Sequence, residues 1–481
     1  MEILKNDLLF ENENALVIGV FEDEKEIKLN EKIDDLLKQL FDGGLINKKL
    51  GYVNKVYTFD KIKNKVIYLI GLGKLGEYSY NGLDKALRNI TKKLGEKVII
   101  NLDSFVGSLD PNEVVKRVVL VVNDYNYSYD ECKSKKEEDK FEVSFTSKED
   151  YSNEINESFL LASAVNNTRD LVNKPYNYLN ADQLAIYAKD LVESLDSDKV
   201  KIKVLNKAEI EKLEMGAFLG VNKGSSDEPK LIHITYQGKE DFNDSISLIG
   251  KGVMYDTGGY SIKQSMNNMK CDMAGAATVL GVLQACVKNN LEINLQVIIC
   301  ATDNRINGGA YLPDDVLVAM NKKTIEIVST DAEGRLTLAD ALTYAQQNGS
   351  KKLIDIATLT GSCVVALGEY TTGLFGNDKE MINAILASSN RTGEHLWELP
   401  ITDHIREKVR GSKVADLTNS TGRYMGASGA AAFLEEFVEE GSKWIHLDIA
   451  GTAFRTSPSY GEFYGASGVM VKTLYDYIKQ Q

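Results

Sequence analysis

Short apolar, β-rich runs alternate with helical patterns along most of this chain, and this order constrains the fold to the α/β class. At 481 residues the chain exceeds one ordinary domain, so at least two domains are expected. In the first part of the chain, helical patterns cover about 31–42 and 82–95. The β-rich runs there are 15–20, 66–70, 98–102 and 118–122. These elements predict a first α/β domain over residues 1–155.

A second, larger α/β domain is predicted over residues 175–481. The charge-dense stretch 132–155 indicates a solvated surface segment between the domains. A helical pattern that Pro175 should end then predicts a connecting helix over 156–174. Because strands and helices alternate again beyond it, we expect a mainly parallel or mixed sheet flanked by helices. The predicted strands are 247–249, 295–300, 324–328, 353–356 and 444–449.

The composition limits the classes of partner. The formal net charge is −14 and the pI is about 5.0, which opposes bulk attraction to nucleic-acid phosphates or to anionic lipid. The five cysteines are odd in number and widely spaced, so they indicate a reducing compartment rather than a disulfide framework. The first residues lack the order of a secretory signal, and no apolar run approaches membrane-spanning length. We therefore expect a cytoplasmic protein that binds neither membrane nor, in the first instance, nucleic acid.

One glycine motif suggests a nucleotide site. Residues 71–76 place G-x-G-x-x-G directly after a predicted strand, as dinucleotide-binding folds do. The residues that follow do not begin an apolar-faced helix at the required point, so a plain tight turn is favoured. An oxidoreductase that uses NAD(P) remains an alternative on this motif alone.

Charged side chains follow the predicted strands at three junctions of the larger domain, where open α/β sheets bind ligands. Taken singly, Asp272 and Asp331 also suit helix N-caps, Glu333 suits a first helical turn, and Asp256 suits a glycine turn. Taken together, such a pool of buried like charge needs a cation to neutralise it. The basic residues beside these acids are Lys251, Lys263 and Arg335.

The residue types favour a metal site built from carboxylates. None of the four histidines forms H-E-x-x-H, and His446 is better explained as a core residue. Oxygen ligands suit Mg²⁺, Mn²⁺ or a pair of ions, which bridging carboxylates would hold roughly 3.5–4 Å apart. A serine nucleophile in a G-x-S-x-G elbow is missing from the sequence, and Cys271 is better explained as a packing thiol.

Several motifs in a fixed order resemble the leucyl (cytosol) aminopeptidases, a family of two-metal exopeptidases. They are GKGVMYDTGGYSIK, MNNMKCDMAGAA, STDAEGRLTLADAL, DIATLTGSCVVALG and HLDIAGTAF, with LVNKPYNYL at their front edge. The resemblance covers about 160–481. The position and α/β character of the first 150 residues suit the variable N-terminal domain of that family.

The resemblance implies a role for each matching residue. Lys263 and Arg335 would be the catalytic cations, and Arg335 would hold a bicarbonate ion that acts as general base. Leu359 would offer a backbone N–H to the tetrahedral intermediate. The metal ligands would be Lys251, Asp256, Asp272, Asp331 and Glu333, and the pocket for the first side chain would be lined by Met269, Thr358, Gly361 and Ala466.

The same resemblance implies the reaction and the assembly. Two divalent ions, Mn²⁺ or Zn²⁺ first and Co²⁺ or Mg²⁺ next, would activate a water that releases N-terminal amino acids, with a leucine-type preference, from peptides with a free N-terminus. A homohexamer is expected. Ser329, which stands where the family usually has Asn, is the departure expected to affect peptide positioning or rate. A non-catalytic, DNA-binding or scaffold role of the same hexameric fold is the alternative.

Overall fold

The computed structural model describes residues 2–5, 13–24, 29, 31–91, 94, 97–136, 142–456 and 464–481. These residues form two compact units, one with the described residues up to Ser163 and the other with those from Ala164 onward. The division falls inside one helix, Ser152–Asn173. The sequence predicted its connecting helix, 156–174, in this part of the chain.

The first unit is an α/β structure around a six-stranded sheet. Its strands are β1 (Glu2–Lys5), β2 (Ala15–Val20), β3 (Val53–Tyr57), β4 (Val66–Gly71), β5 (Lys97–Asn101) and β6 (Glu142–Ser147). Its helices are α1 (Glu31–Asp42), α2 (Tyr80–Thr91), α3 (Pro111–Asn126) and the first part of α4 (Ser152–Asn173). The strand order is β1-β6-β5-β2-β4-β3, and every pair is parallel except β3 with β4.

The strand predicted over 118–122 is wrong, because these residues lie inside α3. The valine-rich run that suggested a strand instead forms the buried stripe of a helix. The start of α3 carries two helix signals: Asp110 accepts a hydrogen bond from the Glu113 N–H at 3.0 Å, and Pro111 occupies the first turn. Local capping therefore decides against the strand propensity of valine.

The prediction of a solvated segment over 132–155 is also wrong in part. Residues 137–141 lie outside the described part of the chain, but β6 follows them and pairs with both β1 and β5. Val143 and Phe145, two residues apart, are buried in the core together with Thr146. The pairing and burial of β6 show that this part of the charge-dense stretch is a core strand.

The G-x-G-x-x-G motif forms a turn rather than a nucleotide loop. A short 3₁₀ turn, Leu75–Glu77, follows β4, and α2 begins only at Tyr80. A Cβ atom on Gly71 would lie 2.2 Å from the Lys49 carbonyl oxygen, so the close approach of backbone explains that glycine. The favoured interpretation, a tight turn, is confirmed.

The second unit is built on an eight-stranded mixed sheet, as the sequence predicted. Its strand order is β15-β14-β17-β13-β9-β10-β8-β7, in which β17, β13, β9 and β10 run parallel. The strands are β7 (Val200–Leu205), β8 (Lys230–Gln237), β9 (Ile246–Asp256), β10 (Asn294–Asn304), β13 (Lys352–Ala357), β14 (Thr371–Gly376), β15 (His395–Glu398) and β17 (Lys443–Asp448). Two small sheets contain β11 (Val316–Val318), β12 (Thr324–Glu326) and β16 (Leu417–Thr418), and β18 (Phe454–Arg455) and β19 (Gly465–Ala466).

The helices of the second unit include one that is buried almost completely. They are α5 (Ala181–Ser194), α6 (Lys207–Lys212), α7 (Gly216–Asn222), α8 (Ala274–Lys288), α9 (Gly334–Gln347), α10 (Gly361–Leu367), α11 (Lys379–Thr392), α12 (Asp403–Val409), α13 (Gly426–Glu435) and α14 (Val471–Lys479). Contrary to the expectation from the sequence, Met269–Lys288 is long and apolar enough to cross a membrane. However, 89% of its apolar window is buried inside the protein, as in the core helix of a globular domain.

The strand predicted over 324–328 is shorter than expected, and it belongs to a small sheet rather than to the main sheet. β12 ends at Glu326 and pairs with β11 and β16 in the small sheet, not with the parallel strands. The residues that follow it, 327–333, reach α9 without regular structure. The charged loop before α9 is therefore held by contacts with other segments.

The contact of α8 with the sheet gives a test of this packing. A Cβ atom on Gly275 would lie 2.0 Å from the Ile356 carbonyl oxygen, so Gly275→Ala should lower the free energy of unfolding by about 2–3 kcal/mol. Helix propensity alone predicts the opposite sign, a gain of about 1 kcal/mol. Gly308→Ala, where a Cβ meets nothing within 4 Å, is the matched control. The midpoint of urea unfolding measures both, and an unchanged midpoint for Gly275→Ala contradicts the packing.

Candidate metal centre

The charged residues singled out in the sequence converge in the second unit, near the carboxyl ends of the parallel strands. Lys251 and Asp256 lie on β9, and Asp272 lies on a 3₁₀ turn, Met269–Met273, that leads into α8. Glu333 directly precedes α9. The remaining members of this group are Lys263, Asp331 and Arg335.

Lys251 lies in the buried part of this group. Its ammonium lies 2.7 Å from Asp272 Oδ1 and 2.9 Å from Glu333 Oε1, and it donates to the Thr358 carbonyl oxygen at 2.9 Å. Burial alone disfavours the charge, but the carboxylates of Asp272 and Glu333 outweigh burial and raise the pKa of Lys251 above its ordinary value. Lys251 is thus an ammonium here, and it would ligate a cation only after losing a proton.

Lys263 links the two acids on the more exposed side. Its Nζ lies 2.6 Å from Asp256 Oδ2 and 2.5 Å from Asp331 Oδ1, and its side chain is 21% exposed. Burial lowers the pKa of Lys263, but the nearby carboxylates, Asp256 first, raise it more. The side chain therefore carries a full positive charge beside the acids.

The acids provide oxygen atoms suited to a divalent cation. One ligand atom each from Asp256, Asp331 and Glu333 lie within 4.8 Å of one another. Within the described part of the chain, the buried oxygens Asp272 Oδ2 and Glu333 Oε2 have no hydrogen-bond partner. Four carboxylates face two lysines, and burial raises the pKa of Asp272 to about 7. Unpaired buried oxygens and excess negative charge fit a divalent cation.

The helix start and glycine turn that could explain these acids without a metal apply to only one of them, Asp256. Neither α8 nor α9 has a side-chain cap, so Asp272 and Asp331 are not N-caps. Glu333 is the N-cap residue of α9, but its side chain makes no capping bond. Asp256 does stabilise the glycine turn, because its Oδ1 accepts from the Gly258 N–H at 2.8 Å.

Arg335 is buried in the first turn of α9, directly after residues 328–333, which we call the metal loop. Its Nη1 donates to the Asn419 carbonyl oxygen at 2.7 Å, while its buried Nε finds no partner among the described residues. Burial lowers the pKa of Arg335 to about 10, although the charges of Glu333 and Asp448 oppose this. The guanidinium is therefore still positive at neutral pH, and it can hold an anion.

Two asparagines that sequence reasoning missed hold the metal loop in place. Asn304, at the end of β10, donates from Nδ2 to Asp256 Oδ1 at 2.8 Å and to the Thr330 carbonyl oxygen at 2.9 Å. Its position at the carboxyl end of a strand was the only available signal. Asn419 contacts the same loop from the segment after β16, for which no spacing gives a signal.

The residues predicted for the intermediate and the pocket lie partly beside this group. Thr358 donates from Oγ1 to Asp272 Oδ1 at 2.8 Å, so it touches a predicted ligand. The Leu359 N–H, predicted to face the intermediate, here donates to Asp448 Oδ1 at 3.2 Å. Gly361 is exposed and begins α10, and a Cβ there would meet nothing within 4 Å.

The other two predicted pocket residues, Met269 and Ala466, lie on different elements. Met269 is half-buried and begins the 3₁₀ turn that carries Asp272. Ala466 is buried on β19, and its backbone groups bond to Asn173 Oδ1 and Arg169 Nε. These bonds attach Ala466 to α4 rather than to the acidic residues.

The remaining residues considered in the sequence behave as core or support. His446 is fully buried, with Nδ1 2.6 Å from Asp355 Oδ1, so it lies in the core as expected, but its buried Nε2 has no hydrogen-bond partner among the described residues. Burial raises the pKa of Cys271 to about 12, as expected for an inert packing thiol. Ser329 Oγ accepts from the Asp331 N–H at 3.2 Å. The serine that stands where the family usually has Asn therefore supports the metal loop directly.

Known structures resemble this chain over nearly its whole length. Two solved structures of the bottromycin maturation enzyme BotP, one of them in complex with Mn, are similar to this chain at 28% sequence identity and a TM-score of 0.86. In each case the match covers 98% of this chain and 99% of the other.

Family models match most of the sequence. The N-terminal domain of the cytosol aminopeptidase family matches residues 17–136, and the catalytic domain of the same family matches residues 166–475. The second match contains all the acids and lysines described above. The chain belongs to the cytosol aminopeptidase family.

Proposed function

We propose that this protein is a metal-dependent aminopeptidase that releases N-terminal amino acids, with a leucine-type preference, from peptides. Membership of the cytosol aminopeptidase family supports a metal-dependent peptidase. The observation that carries the proposal is the group of four carboxylates and two lysines, with two buried carboxylate oxygens left unpaired. The ligands we assign to two divalent ions are Lys251, Asp256, Asp272, Asp331 and Glu333.

The metal ions assigned to this group suit a peptide with a free N-terminus. Divalent cations bound there would supply Lewis acidity and a water of lowered pKa. A free α-amine can act as a ligand to such a cation through its lone pair, whereas the nitrogen of an acetylated N-terminus cannot. Lys263, partly exposed between Asp256 and Asp331, would donate to the oxyanion that develops on the scissile carbonyl.

Other residues would position the substrate and an anion. The fixed positive charge of Arg335 would bind the bicarbonate that the resemblance implies. The Leu359 N–H would exchange its bond with Asp448 for one with the intermediate. Met269, Thr358, Gly361 and Ala466 remain our assignment for the pocket. The complex of BotP with Mn supports Mn²⁺ as the first ion to test. We keep Zn²⁺ as the second. We also propose a homohexamer and a cytoplasmic location.

The reaction is tested directly with matched substrates. Metal-stripped protein refilled with Mn²⁺ should release p-nitroaniline from leucine p-nitroanilide but not from its N-acetylated form, because the free amine is required. Addition of a chelator should abolish the release. Equal turnover of the two substrates, or release that resists the chelator, contradicts the proposal. Absence of release with every divalent ion would favour the non-catalytic alternative.

Lys263 is expected to act on the reaction step. Lys263→Ala should lower kcat by roughly 10²–10³-fold, the effect of losing one donor to an oxyanion. Lys322→Ala is the control, because Lys322 is exposed and pairs with Glu214. Steady-state kinetics at saturating Mn²⁺ measure both variants. A kcat of Lys263→Ala within a factor of about three of the parent contradicts the role of Lys263.

Asp331 is expected to act on metal binding. Asp331→Asn keeps the shape of the side chain but removes a charged oxygen, so Mn²⁺ should bind at least about 10-fold more weakly. Asp315→Asn is the matched control, because Asp315 instead accepts from the Leu312 N–H at 3.0 Å. Isothermal titration calorimetry measures the affinity. Equal affinities for the two variants would exclude Asp331 as a ligand.

A further inference from the structure

We infer that Asn419 is a positioning residue that holds the metal loop and Arg335 in one fixed arrangement. Asn419 follows β16 and is fully buried. The metal loop, residues 328–333, includes Asp331 and Glu333. The inference rests on the proposed function, because it gives this loop its role in metal binding.

The side-chain amide of Asn419 satisfies the backbone of the metal loop at four points. Its Oδ1 accepts from the Val328 N–H at 2.8 Å and from the Ser329 N–H at 3.2 Å. Its Nδ2 donates to the Ser329 carbonyl oxygen at 2.6 Å and to the Ala332 carbonyl oxygen at 3.4 Å. The Ser329 carbonyl oxygen also accepts from the Ala332 N–H at 3.3 Å, and for the other three groups Asn419 is the partner seen among the described residues. One side chain thus replaces bonds that a strand would make.

The backbone of Asn419 extends the same support to Arg335. Its carbonyl oxygen accepts from Arg335 Nη1 at 2.7 Å, and its N–H donates to the Glu326 carbonyl oxygen at 3.0 Å. The second bond continues the pairing of β12 with β16. Asn419 is thus fixed to the small sheet, and it connects that sheet to both the loop and the guanidinium.

This geometry matters because the loop carries ligands at closely spaced positions. Asp331 and Glu333 contribute to the three ligand atoms that lie within 4.8 Å of one another. Ligand side chains keep such spacing only if the backbone that carries them is held, and groups that orient ligands typically change metal affinity or activity by about 10–100-fold. Loss of the Asn419 amide should therefore loosen the loop without removing any ligand.

A matched control separates positioning from ordinary stability. Asn294 is also fully buried, and its amide also bonds to backbone: Nδ2 donates to the carbonyl oxygens of Asp241 and Asn243 at 2.6 and 2.9 Å, and Oδ1 accepts from the Lys239 N–H at 3.2 Å. It lies at the opposite end of β10 from Asn304, roughly 30 Å away along the strand. Asn294→Ala and Asn419→Ala should lower the melting temperature of the protein to a similar extent.

The deciding measurement is the affinity for Mn²⁺, by isothermal titration calorimetry on the metal-stripped full chain. Asn419→Ala should bind Mn²⁺ about 10–100-fold more weakly than the parent, and Asn294→Ala within about twofold. Asn419→Ser, which keeps one hydroxyl in the site, should lie between the parent and Asn419→Ala. If Asn419→Ala does not fold, a comparison of Asn419→Ser with Asn294→Ser decides instead. Equal affinities in the Asn419 and Asn294 variants overturn the inference.

The kinetic test addresses Arg335. At saturating Mn²⁺, Asn419→Ala should lower kcat by about 10-fold while KM changes by less than about threefold, because the reacting groups rather than substrate binding are displaced. The loss of kcat in Asn419→Ala combined with Arg335→Lys should be smaller than the product of the two single losses. Multiplicative losses overturn the link to Arg335. A parent protein that releases no amino acid refutes the proposed function instead, while the comparison of Mn²⁺ affinities still decides on Asn419.

Discussion

The burial of excess negative charge is the constraint on which the rest of the second unit depends. Asp256, Asp272 and Glu333 are each at most 6% exposed, and two lysines supply the nearest positive charges. An uncompensated buried carboxylate is strongly unfavourable in a low-dielectric interior. Burial raises the pKa of both Asp272 and Asp256, because it disfavours their charged forms. A divalent cation would relieve this penalty, so folding energetics and metal binding act on the same atoms.

The surrounding backbone is shaped to bring these charges together. Two parallel strands, β9 and β13, place Lys251 beside the Thr358 carbonyl oxygen, and the absence of a side chain at Gly334 leaves room for the lysine. A Cβ atom there would lie 2.5 Å from Lys251 Cε. A side chain at the start of α9 would therefore displace Lys251 from its partners, which explains a glycine there although glycine weakens a helix. Local helix stability is reduced at this point so that the lysine can reach Glu333.

The sequence predicted the four central parallel strands of the main sheet but not β7, β8, β14 and β15, and it predicted some local elements wrongly. β9, β10 and β13 are apolar runs buried on both faces, which is typical of parallel strands. The run 118–122 has the same composition, yet it lies inside α3, because the cap at Asp110 and Pro111 begins a helix that continues through it. The composition of an apolar run indicates that it is buried, whereas the residues at its ends indicate whether it is a helix or a strand. An apolar run is therefore ambiguous unless its ends are also considered.

In the candidate site too, the residues that the sequence predicted are marked by their near neighbours in sequence, whereas the residues that it missed act on distant segments. Each acid was predictable because it lies close in sequence to a glycine turn or to a helix start. Asn304 and Asn419 were not, because each acts on a loop that is about 25 and 90 residues away and presents only a neutral amide. A neutral amide has no spacing rule, since its partners are backbone groups that every residue has. Sequence motifs therefore reveal the groups that could bind a cation, and only the fold reveals the groups that hold them in place.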